Sequence, residues 1–179
     1  MRTPSILNRR ALGVALAGGT LAGCAASADQ SVSSRRLASG TDAVSLRTAA
    51  VQGGTFLMQA AQLGVTKAQR PELRRFASFE VSEQQGIVQA LAATGQAVAP
   101  TPPPADKAAM LSRLQSAGGA EFDRMFVTAQ TQGHREALAA YDAIIGSTGA
   151  PATDKAIAIM AADRIREHLA FLETALSRA

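Results

Sequence analysis

The chain has one cysteine, Cys24, so it can build no internal disulfide, no dithiol redox pair and no thiolate cluster for a structural metal. Tryptophan is absent and Tyr141 is the single tyrosine, which with six phenylalanines leaves few rings to stack on bases. The basic residues are scattered rather than clustered, so no nucleic acid is expected as a partner. There is no glycine-rich phosphate loop, no Gly-x-Ser-x-Gly elbow, and no Cys–His or Ser–His–Asp set outside helical pattern. A non-catalytic role is therefore expected. β-branched residues are sparse and no strand-like alternation occurs, which removes a sheet as the core. Without disulfides, stability must come from packing, and 179 residues suffice for one domain.

What is present begins at the N-terminus. Arg2, Arg9 and Arg10 form a positive region, and the uncharged run from Ala11 to Gly23 is too short to span a bilayer, which needs about 20 residues. The run ends in Leu21-Ala22-Gly23-Cys24, which resembles the bacterial lipobox. That resemblance implies a lipoprotein: residues 1–23 would be a signal peptide and Cys24 an acylated, palmitate-bearing first residue. Membrane attachment would then run through Cys24. Because Ala25 rather than aspartate follows the cysteine, the expected location is the outer membrane, with the domain in the periplasm. Asn8-Arg9-Arg10 resembles a twin-arginine signal only in part, so both export routes stay open. The formal charge of +4 falls to about +1 once the three arginines of residues 1–23 are gone.

Residues 24–44 are rich in Ala and Ser without periodicity and read as a flexible tether. From residue 45 to 179 the pattern is helical. Helices are expected over about 45–66, over 71–94 with Pro71 in the first turn, over a short stretch that Asp106 caps, over 120–145, and from a Thr153 cap to about 177. The segment 95–105 carries Pro100, Pro102, Pro103 and Pro104 and must be a loop. The expected fold is all-α, an antiparallel four-helix bundle with one short extra helix.

Gly53-Gly54, Phe76-Ala77, the run Phe122 to Gln130 followed by His134, and His168-Leu169 resemble an exported bacterial family of ferritin-like helical bundles of unknown function, often labelled outer-membrane proteins. The resemblance implies a ferritin-like fold. Members commonly carry an acidic residue in the first helix and an Asp-His pair in the second. Here the matching places hold Leu57 and Glu83-Gln84.

Helical spacing puts Leu73, Phe76, Glu80, Glu83, Ile87 and Leu91 on one side of the second helix, so two carboxylates face apolar neighbours. His168 lies near the centre of the last helix's apolar stripe, and His134 at the edge of that of the long helix before it. At 1.5 Å per residue from their connection, the two histidines lie about 28 and 22 Å along, at similar depth. Glu80, Glu83, His134 and His168 are thus the candidate metal ligands, a carboxylate–histidine set of the kind that holds iron or manganese. The chain has no Glu-x-x-His, and its first helix offers only Gln52, Gln59 and Gln62. The expectation is accordingly structural, with no cofactor: Glu80 and Glu83 pair with Arg124, Arg164 or Arg166, and the histidines bond buried polar groups. The alternatives are a divergent metal-binding protein and a partner-docking module of an envelope complex. The Ala-rich first helix would equally serve a homo-oligomer.

Overall fold

The computed structural model describes the backbone of residues 26–95 and 101–177, with side chains from residue 43 onward in those stretches. The expected signal peptide and Cys24 lie outside the described residues. Within them the chain is all-α, with helices α1 (Ala26–Lys67), α2 (Pro71–Ala93), α3 (Ala105–Ser116), α4 (Gly119–Gly146) and α5 (Ala152–Leu176). None of these is long and apolar enough to cross a membrane.

Two expectations about boundaries need correction. The coil expected over 24–44 is helix from Ala26 onward, because alanine favours helix and no proline interrupts residues 26–70. The caps are also misplaced: Asp106 lies inside the first turn of α3, Thr153 inside that of α5, and Pro104 and Pro151 precede those helices with no side-chain cap bond. A proline just ahead supplies the extended backbone from which a helix can start.

α1 packs along both α2 and α4, and α4 along α5, around one core that includes Phe56, Leu57, Leu73, Phe122, Phe126 and Leu172. Helix approach at α1–α4 is close because Gly133 has no side chain. A Cβ there would lie 2.6 Å from Leu57 Cδ2 and 2.9 Å from the Phe56 ring. α2 and α5 touch each other little. Their seam carries a groove of about 340 Å³ lined by Ile87, Ala90, Ile157 and Met160, with Glu83 and Arg164 at its polar wall.

The α1–α2 turn is pinned from a distance. Asp123 on α4 accepts the backbone N–H groups of Gln69 at 2.9 Å and Arg70 at 3.1 Å, covering donors that open α2. This gives the Phe122-Asp123-Arg124 run a physical role. Arg124 itself is exposed.

Candidate metal centre

Three helices each send one donor residue to the same buried point. α2 contributes Glu80, fully buried; α4 contributes His134, 1 % exposed; α5 contributes His168. His134 Nε2 lies 3.2 Å from Glu80 Oε2 and 3.0 Å from His168 Nδ1, and His168 Nδ1 lies 3.1 Å from Glu80 Oε2. The three atoms form a nearly equilateral triangle.

The other end of each donor residue is held. His134 Nδ1 lies 2.8 Å from the Gln130 carbonyl, which can only accept, so Nδ1 carries hydrogen and a neutral ring presents the Nε2 lone pair to the triangle. Gln84, one turn beyond Glu80, donates from Nε2 to Glu80 Oε1 at 2.9 Å and leaves Oε2 to face the histidines. His168 Nε2 faces Glu83 Oε2 at 3.5 Å, an electrostatic contact that favours hydrogen on Nε2 and the lone pair on Nδ1. Phe76 walls the site, its ring centroid 5.1 Å from that of His168 and 6.0 Å from that of His134.

The sequence expectation for these residues divides. Glu80, His134 and His168 do converge. Glu83 does not join them: it lies against the outer nitrogen of His168 and 3.7 Å from Arg164. Its expected pairing with Arg164 is thus present. No arginine pairing with Glu80 is found among the described residues, since Arg166 pairs with Asp142 and Arg124 is exposed. His134 is a core residue rather than an edge one, because α4 is covered by both α1 and α5.

Burial alone would raise the Glu80 carboxyl, yet when the facing imidazole nitrogens of the metal-free site carry protons, the hydrogen bonds and charge of His134 and His168 outweigh burial and bring its pKa down to about 2. Glu83 moves the other way, raised by burial and by the nearby Glu80 charge against the opposing pull of His168 and Arg164. Tyr141, buried on α4, has its hydroxyl held protonated by burial and by the charges of Glu83 and Glu80.

Two residues of the site are not evident from ligand spacing. Gln84 fits only because residue 54 is glycine, since a Cβ there would lie 2.5 Å from Gln84 Oε1. The Gln130 side chain donates from Nε2 to the Leu57 carbonyl at 3.1 Å, while its buried Oε1 has no partner. The signal for Gln84 was its i, i+4 spacing from Glu80.

Residues 27–174 match the family described as DUF4142, a domain of unknown function. The chain belongs to the DUF4142 family. The match starts inside the stretch expected as a tether, in accord with the early start of α1, and takes in all three donor residues. No curated protein and no solved structure matches the chain.

Proposed function

We propose that this DUF4142 domain binds a single divalent transition-metal ion through Glu80 Oε2, His134 Nε2 and His168 Nδ1. The observation that carries the reading is the triangle itself, 3.0 to 3.2 Å on each side and lined by lone pairs. Three acceptors cannot satisfy one another, so a cation must lie among them: a proton on one imidazole, or a metal that replaces it. A point ~2.1 Å from all three atoms exists ~1 Å off their plane, which is the bond length that imidazole and carboxylate make to such ions. Two imidazoles and one carboxylate suit zinc, iron or copper rather than calcium or magnesium.

A dinuclear centre has less support. The place where the resembling family commonly carries a first-helix acid is Leu57, fully buried here, and Glu83 is turned to the outer side of His168. The ferritin-like four-helix arrangement is part of the same reading, supported by donors that come from facing helices around one core. So is the envelope location, supported by the lipobox-like sequence at Cys24: Cys24→Ser should stop fatty-acid labelling and leave the precursor unprocessed.

The direct test is equilibrium dialysis of the purified protein against zinc or cobalt(II). One ion per chain is expected, and none in His134→Ala or Glu80→Gln. Equal uptake by the wild type and both variants would overturn the assignment.

A further inference from the structure

We infer that the ion at Glu80, His134 and His168 keeps an exchangeable coordination position, filled by water or by a small monoanion that enters from the α2–α5 groove. This rests on the metal reading above and goes beyond it, since a purely structural ion would have all its positions closed by protein. Four features point the same way.

First, only three donors are present. Among the described residues the group of histidines and acids within metal-binding reach comprises Glu80, His134 and His168 alone. The nearest further carboxylate, Glu83, is engaged by Arg164 and the far nitrogen of His168. Structural zinc sites close with four protein donors, whereas three donors and an open position mark sites that exchange ligands.

Second, the donors are close together. Tetrahedral coordination separates donor atoms by ~3.4 Å and one face of an octahedron by ~3.0 Å at bond lengths of ~2.1 Å. The observed 3.0 to 3.2 Å is nearer the octahedral value, which would gather the protein's donors on one side of the ion.

Third, charge is incomplete. A divalent ion on the single Glu80 carboxylate leaves one positive charge in a buried place, with the outer Glu83 offset by Arg164. A monoanion removes that excess, and buried uncompensated charge is unfavourable.

Fourth, one donor lies next to the wall of the groove. His168 is the least enclosed donor, its side chain 12 % exposed against 1 % for His134 and none for Glu80. It abuts Glu83, which with Arg164 forms the polar wall of the groove between α2 and α5. The Arg164 guanidinium puts positive charge at that wall.

The test is azide titration of the purified full chain loaded with cobalt(II), whose visible absorption responds to its ligands. A saturating change at one azide per cobalt is expected. Stoichiometric cobalt with a spectrum unmoved by azide would leave the metal site standing and overturn the open position. Failure to take up cobalt at all would overturn both readings together.

Discussion

Two seams of the molecule are closed by opposite means. Between α1 and α4 the contact is steric: Gly133 lets Phe56 and Leu57 press against the helix, and Leu57 has no exposed surface. Between α2 and α5 contacts are fewer and an apolar groove stays open; beside the stacked rings of Phe76 and Phe171 the links are polar: Glu80 to His168, Glu83 to His168, and Glu83 to Arg164. Dense apolar packing does not depend on the protonation of the groups that make it. A polar seam is conditional on charge and on what is bound, which would suit the proposed uptake of an ion from solution.

The largest test of the contrast is truncation on each side. Leu57→Ala should lower unfolding free energy by about 3 kcal/mol through the cavity it leaves, whereas Met160→Ala, at the 77 % exposed rim of the groove, should change it by less than about 0.5 kcal/mol in chemical denaturation. Equal losses would erase the distinction. Metal addition probes the polar seam next. Zinc or cobalt(II) at a hundredfold excess over its dissociation constant should stabilise by about 2.7 kcal/mol, reversed by a chelator and lost in Glu80→Gln. A melting temperature indifferent to both metal and chelator would make the seam merely structural.

A smaller effect is expected for Gly133→Ala. The contacts at 2.6 and 2.9 Å cost about 1–3 kcal/mol, against about 1 kcal/mol gained in helix propensity, so calorimetry should read a net loss near 1 kcal/mol. A stabilised variant would show that the steric seam has slack. The acid response of the metal-free protein probes the polar seam in another way. Glu80 is depressed from 4.5 to about 2, so the stability it contributes is complete above pH 4.5 and lost as pH falls toward 2. Glu83 is raised, and so opposes this by favouring the folded state when protonated. Glu80→Gln should flatten the net acid loss in denaturation measured between pH 4.5 and 2.

How much of this the sequence disclosed follows the same division. Helix interiors, the proline loop and the equal depth of His134 and His168 follow from 3.6-residue periodicity and a fixed rise per residue, both of which are local rules. The early start of α1 was hidden because composition without periodicity reads as coil, although alanine supports helix there. The separate roles of Glu80 and Glu83 were hidden for another reason. Three residues apart on one helix they share a face, and which carboxylate reaches the core depends on where α5 crosses α2, a tertiary fact. Gln84 illustrates this best: its placement against Glu80 depends on a missing Cβ at Gly54, thirty positions away.

The donors at positions 80, 134 and 168 stand on three helices separated by long stretches of chain. An extended chain therefore holds no chelate, and closing two such loops around an ion before the helices dock carries a large entropic cost. On the proposed metal reading, ion capture would follow folding, and ion escape would be timed by how often α5 lifts from α2. The rate at which a chelator strips the ion would then serve as a stopwatch for that opening, read without any label on the protein.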